Sequence, residues 1–248
     1  MMLQQAWAFL TDPAQWTGAD GVGVRLGEHL AITAVAMLFA MLIAIPVGLM
    51  IGHSGRGRVA VVGVSGALRA LPSLGLLTIL ALWLPNGVGR PEIPATIVLV
   101  ILAIPPILAG AYAGVEAIPA EITQSARAVG HTEWQVLCQV EVPLARASIF
   151  DGIRSATLQV IATATLCSYL GLGGLGRYLL DGLATRDYPM VLAGAITVIA
   201  LALLVEGLLA AVGALVLRRA ISPSRTVDEE NASRTETATV PFHAGDRR

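Results

Sequence analysis

Apolar residues form long uninterrupted stretches along this chain, and polar residues gather between them. The first stretch runs from Leu30 to Ile51, 22 residues without a charge. A second runs from Val59 to Leu84, interrupted by Arg69 and Pro72. A third spans Ile93 to Gly114, and a fourth, more polar, spans Ser155 to Leu172. The fifth runs from Pro189 to Leu217 and holds one acid, Glu206. Each can cross roughly 30 Å of hydrocarbon. Lipid offers no hydrogen-bond partner to a backbone, so each crossing must be helical. The pattern predicts an all-α, polytopic integral membrane protein with five transmembrane helices.

Composition sharpens this reading. Of 248 residues, 55% are hydrophobic and 13% charged, against about 25% charged in soluble domains. One soluble core cannot hide that much apolar surface, which excludes a cytosolic enzyme and a disordered chain. The net charge is −1, and all 16 basic residues are Arg. That balance gives no basic footprint for nucleic acid. Cys138 and Cys167 match no metal spacing and are expected to be packing residues. Residues 1–28 have no basic start leading into an apolar run, so they do not read as a signal peptide.

Arginine placement predicts orientation. With the N-terminus outside, Arg56, Arg58, Arg127, Arg146, Arg154, Arg218, Arg219 and Arg225 lie inside. Arg25, Arg90, Arg177 and Arg186 then lie outside, close to acids. Trp83, Tyr169, Tyr178 and Tyr188 fall at the outer span ends, as an interfacial belt does. The chain thus divides into an extracytoplasmic segment, 1–28, a transmembrane domain, 29–219, and a polar tail, 220–248. The tail carries Asp228, Glu229 and Glu230 and is expected to be disordered and cytoplasmic.

The longest internal loop, 115–148, is too polar to span a bilayer. Ile118-Pro119-Ala120-Glu121 starts a helix, with proline in the first turn. Gly130 breaks it, and Thr132 followed by Glu133 and Gln135 starts a second. Trp134, Val136, Leu137, Val140 and Val142 give that second helix an apolar face, and Pro143 is expected to stop it. This is a helix–glycine–helix hairpin at the cytoplasmic surface. It is either an amphipathic connector on the membrane or a docking element for a soluble partner. The small residues before Gly130 favour docking.

Within the hairpin, Gln124-Ser125-Ala126 is followed by three residues, Gly130, nine residues, then Val140-Glu141-Val142-Pro143. This resembles the cytoplasmic loop of permease subunits of ATP-binding cassette importers, with Gln124 and Ser125 where the family has Glu and Ala. Further segments resemble the subgroup for glycine betaine, carnitine and choline. They are Leu71-Pro72-Ser73-Leu74, Gly152 to Thr157, Gly171 to Gly176 and Gly182 to Asp187. Leu10-Thr11-Asp12-Pro13 with Trp16, and Glu28-His29-Leu30, are similar too. The resemblance covers about residues 7–219. It implies a permease subunit in the cell membrane, moving a compatible solute and catalysing no bond chemistry. It also implies two cytosolic ATPases on the Gly130 loops, a second permease subunit and an extracytoplasmic solute-binding protein. ATP and Mg would sit on the ATPase, and this chain would bind no cofactor. The sequence has no Gly-x4-Gly-Lys-Ser/Thr loop of its own to cradle ATP. Two alternatives remain open: a permease for an amino acid or sulfonate, and an ATP-independent channel or scaffold.

Several residues stand out as pathway or gate candidates. Arg69 is a membrane-embedded charge just before Pro72 and Ser73, and Glu206 is its expected partner. Gln159 and Thr163 share one face of the fourth span, where a polar stripe lines a path or bonds a neighbouring helix. Gly171 to Gly176 satisfies Gly-x-Gly-x-x-Gly, but a span precedes it rather than a strand, so a dinucleotide site is rejected. Gly173 and Gly174 then belong to a tight outer turn. Gly48/Gly52 and Gly110/Gly114 have spacing suited to close helix packing. His131, Glu133 and Glu141 form no metal set and are expected to be solvated or at an ATPase interface. His29 and His53 read as unremarkable span-end residues.

Overall fold

A computed structural model describes residues 1–218, apart from five side chains between Arg58 and Arg69, Arg69 among them, and those of the last three residues. The tail expected to be disordered, 220–248, lies outside the described residues. Ten α-helices follow one another, and no strand occurs among the described residues. They are α1 (Met2–Thr11), α2 (Val22–Ser54), α3 (Arg58–Ala70), α4 (Ser73–Trp83) and α5 (Glu92–Glu116). Then come α6 (Ala120–Ala128), α7 (Glu133–Gln135), α8 (Val142–Ala164), α9 (Gly176–Thr185) and α10 (Tyr188–Arg218). Residues 1–210 form one compact unit, and the last turns of α10 belong to a second. Everything below concerns the first.

Among the described residues, three stretches are long and apolar enough to cross a membrane: Val22–Ser54, Glu92–Glu116 and Tyr188–Leu215. They contain the first and third apolar runs of the sequence and nearly all of the fifth. The second run is divided. α3 stops at Ala70, Leu71 is extended, and Pro72 precedes α4. Proline lacks an N–H and pushes the residue before it out of the helical region, so the chain breaks there. The fourth run begins inside α8, which starts upstream at Val142 and ends at Ala164, and continues through a 3-10 helix, Thr165–Leu170, so it is not one α-helix. Pro143 therefore does not end a helix. It is the second residue of α8 and comes just after the π-helical stretch Val136–Glu141, whose altered hydrogen-bond spacing lets the helix pass a residue with no N–H to donate.

The core forms where α2, α5 and α8 meet, and small residues every fourth position allow it. On α2 the row Ala36, Ala40, Ala44 is fully buried and continues into Gly48 and Gly52. On α5 the row is Ala95, Leu99, Ala103, Ile107, Ala111, each without exposed surface. Residues four apart form a ridge along a helix, and ridges pack into the grooves of a neighbour. A Cβ on Gly48 would lie 2.7 Å from the Ala111 Cβ, and one on Gly52 2.7 Å from the Val115 Cβ. On its other side α5 meets α8: a Cβ on Gly110 would lie 2.5 Å from the Ser148 carbonyl oxygen. One on Gly152 would lie 2.7 Å from the Pro106 carbonyl oxygen. Both glycine pairs singled out in the sequence are thus points of backbone contact, with α5 between the other two.

By contrast, α10 turns Leu203, Leu204 and Leu208 outward. In a bilayer such a face meets acyl chains or a neighbouring subunit without penalty.

Gly110→Val and Gly152→Val should each cost about 1–3 kcal/mol by overpacking backbone against backbone. Gly207, with open space around its α-carbon, should accept alanine without loss. Melting temperature and monodispersity in detergent distinguish the two groups.

Candidate functional site

Three polar assemblies interrupt the apolar core. The first closes the end where α2 begins. Glu28 Oε2 accepts the Gly174 N–H at 2.7 Å and an Arg25 guanidinium N–H at 3.1 Å, and Arg25 also bonds Asp20. The turn between α8 and α9 is held from below. The Ser168 hydroxyl donates to the Gly173 carbonyl at 3.0 Å. Gly174 takes φ +88°, a backbone region natural to glycine, and a Cβ on Gly173 would run into the Glu28 carboxylate. Gly173 and Gly174 therefore do form a tight turn, packed on the start of α2. His29 is no incidental span-end residue. It is 1% exposed, and its Nε2 lies 3.0 Å from the Ile161 carbonyl oxygen. A carbonyl only accepts, so that nitrogen carries the proton and pins α2 to α8. Beneath the turn is a cavity of about 440 Å³ whose lining includes Glu28, Glu92, Thr96 and Cys167.

The second assembly lies on α8 and α10. Arg154 Nε donates to Glu206 Oε1 at 2.6 Å, and the guanidinium also bonds that oxygen through Nη2. The sequence pointed to Arg69 as the partner of Glu206. The Arg69 side chain lies outside the described residues, and Arg154 holds Glu206 in the structure. Arg154 escaped notice because it sits at the polar start of the fourth apolar run, inside α8 but before Ser155. The polar residues of α8 divide into two kinds. Thr157 and Thr165 donate to backbone carbonyls of their own turns, at 2.8 and 2.7 Å. Gln159 and Thr163 are half-buried and make no hydrogen bond among the described residues. Pro72 and Ser73 stand at the break between α3 and α4. No hydrogen bond or ion pair among the described residues joins them to Gln159, Glu206 or Gly173.

The third assembly is the hairpin. Gly130 adopts φ +93° between α6 and α7, so a left-handed residue makes the turn. Thr132 and Gln135 cap each other reciprocally, with the Thr132 N–H donating to Gln135 Oε1 at 2.8 Å. Gln124, Ser125 and Gly130 are exposed and Ala126 half-buried. Val129 and Trp134, on either side of the glycine, are 76% and 71% exposed. α7 runs without interruption through a π-helical stretch, Val136–Glu141, into α8. Val140 lies in that stretch, and Val142 and Pro143 open α8. The Arg127 guanidinium donates two bonds of 2.9 Å to Glu133 and holds that carboxyl below the usual range. The sequence reading placed Glu141 in solvent or at an interface, yet it is 3% exposed. It is buried because His53, from the last turn of α2, meets it at 2.7 Å. No local signal links residues 88 positions apart.

Long apolar helices and a polar hairpin that runs directly into a core helix frame these three assemblies. The chain belongs to the family of binding-protein-dependent transport system inner membrane components, which matches residues 44–218. It is an ABC-importer permease subunit and a membrane protein. It is 35% identical over 187 residues to the glycine betaine/carnitine/choline transport system permease protein OpuCB of Bacillus subtilis, covering 75% of this chain and 84% of that one. It is 38% identical over 183 residues to the carnitine transport permease protein OpuCB of Listeria monocytogenes, covering 74% and 82%. An inward-facing structure of the MetNI methionine ABC transporter shares the fold at TM-score 0.67 and 21% identity, covering 85% of this chain and 99% of that one.

Arg154→Ala and Glu206→Ala should each lower stability, since each leaves a membrane charge unpaired. The double variant should be no worse than either single one. Thermal melts of the three in one detergent measure the coupling.

Proposed function

We propose that this chain forms one half of the path of a binding-protein-dependent importer for a quaternary ammonium or related compatible solute. The observation that carries the reading is the hairpin. It presents Val129 and Trp134 on either side of a left-handed Gly130 and is continuous with a core helix. Exposed apolar side chains around a turn without a Cβ suit close docking against a soluble protein. In this reading an ATPase dimer seats on residues 115–148 of two permease subunits and holds the ATP and Mg. This chain needs no cofactor and contributes no catalytic group. ATP-driven closure moves the hairpins and reorients the spans.

The cargo class is supported by the OpuCB relatives, whose names specify glycine betaine, carnitine and choline. Gln159 and Thr163, without hydrogen-bond partners among the described residues, are assigned to the path. Gly173 and Gly174, tied to Glu28, are assigned to its outer gate, and Pro72 and Ser73, at the break between α3 and α4, are kept as pathway candidates. Arg69 remains a pathway candidate by sequence position. The arginine distribution supports an N-terminus outside and a C-terminus in the cytoplasm. Residues 1–28 then lie outside, 29–219 form the permease domain, and 220–248 form a cytoplasmic tail.

Gly130→Asp should strain the turn by about 1–2 kcal/mol and release the ATPase. Purification through a tag on this chain tests it, and retention of the ATPase defeats the assignment of the hairpin. Gln159→Leu should leave the complex intact and lower uptake of radiolabelled glycine betaine about tenfold, the loss expected from one functional polar contact. Loss of the complex instead would make Gln159 a packing residue.

A further inference from the structure

Between Glu133 and Ala164 the helix does not keep one pitch. The Val136 N–H donates to the Thr132 carbonyl, four residues back, at 2.8 Å. The Val142 N–H reaches one residue further, to the Leu137 carbonyl. A turn closed over five residues takes up one residue more than an α-turn, so it changes the phase of the helix by the rotation of one residue, about 100°. The sequence supplies the cause. In an α-helix the ring of Pro143 would press on the carbonyl of the fourth residue back, Gln139, and a wider turn relieves that contact.

Burial shows what the extra residue does. Leu137, Glu141, Ala145 and Ile149 are all buried, at a spacing of four. In an uninterrupted α-helix residues four apart drift by about 40°, so Ile149 would stand about 120° from Leu137. With one residue taken up by the wide turn the drift falls to about 20°, and the four share one face. That face has two partners. Ala145 lies against α5, where a Cβ on Gly114 would be 3.0 Å from its own. Glu141 meets His53 in the last turn of α2, and Leu137 lines a cleft of about 430 Å³ with Met50 and Ser54.

We propose that Pro143 is a positioning residue of the transport cycle: by holding one π turn open, it sets the rotation at which α8 presents Val129 and Trp134 to the ATPase. The proposal rests on the reading of the hairpin as the ATPase-docking element. The two arms of the hairpin turn together, because Arg127 bonds Glu133 twice across Gly130. With α8 fixed on α5, an α-helical course through 136–141 would rotate the whole hairpin by about 100° about the helix axis. Leu137 would leave α2, and Trp134 would lose its present bearing.

The test uses the whole complex, ATPase included, in nanodiscs, with glycine betaine-loaded binding protein as the stimulus. Rotation is read independently of activity. His53 Nε2 lies 3.2 Å from Glu133 Oε2. In a Cys138→Ser, Cys167→Ser chain, His53→Cys and Glu133→Cys should therefore be joined by a short bifunctional maleimide. Pro143→Ala frees the stretch to close into α-turns and should lose this crosslink. In a chain without the added cysteines, Pro143→Ala should lose the stimulated ATP hydrolysis. Deleting Gln139 from the Pro143→Ala chain leaves a regular helix with the original phase, so crosslink and hydrolysis should both return. Inserting one alanine after Gln139 of the Pro143→Ala chain should restore neither. A Pro143→Ala complex that crosslinks and hydrolyses as the parent does overturns the proposal. So does a deletion that restores the crosslink without the hydrolysis, or an insertion that restores both. Retention of the ATPase by Gly130→Asp instead overturns the docking reading and leaves the crosslink result standing.

Discussion

The close approach of α5 to both α2 and α8 is the constraint on which the rest depends. Membrane helices gain nothing by hiding apolar surface from apolar lipid, so contact must come from packing itself. Here it comes from removing side chains. Gly48 and Gly52 let α2 onto α5, and Gly110 and Gly152 let α5 onto α8. The alanine rows extend the same fit along the helices. Once these axes are fixed, the polar groups at both ends can be placed within hydrogen-bond distance. His29 reaches Ile161, and His53 reaches Glu141, only because the backbones between them touch.

The ends differ in character. Where α2 begins, a carboxylate and a backbone amide hold a glycine turn, and the partners are close to the chain itself. Where α2 ends, two side chains meet instead, His53 and the buried Glu141 at the start of α8. Arg154 and Glu206 tie α10 to α8 between these ends. The three assemblies thus attach neighbouring elements to a core that has almost no polar groups of its own.

Much of this was legible in the sequence, because span length and glycine spacing are local signals. The apolar runs located α2, α5 and α10, and the glycine spacing marked the true contacts. Thr132, Gln135 and Gly130 announced the hairpin, since caps and left-handed turns are written within a few residues. What escaped was pairing across distance. Arg69 drew attention as the charge deepest in an apolar run, while Arg154, in a more polar context, holds Glu206. His53 and Glu141 looked ordinary separately because their relation exists only after α2 and α8 have packed. Pro143 misled for a related reason. Its effect depends on whether a helix is ending or starting, and the apolar pattern alone does not say which.

The unbroken course of α7, the π-helical stretch and α8 has a mechanical consequence. A hairpin joined to a span by a loose loop would absorb a push. From Glu133 to Ala164 the chain is instead continuously helical. Past Ala164 a short 3-10 helix, Thr165–Leu170, leads on to the turn holding Gly173 and Gly174. A displacement of the hairpin would thereby be passed along one helical course toward the turn that Glu28 holds against α2.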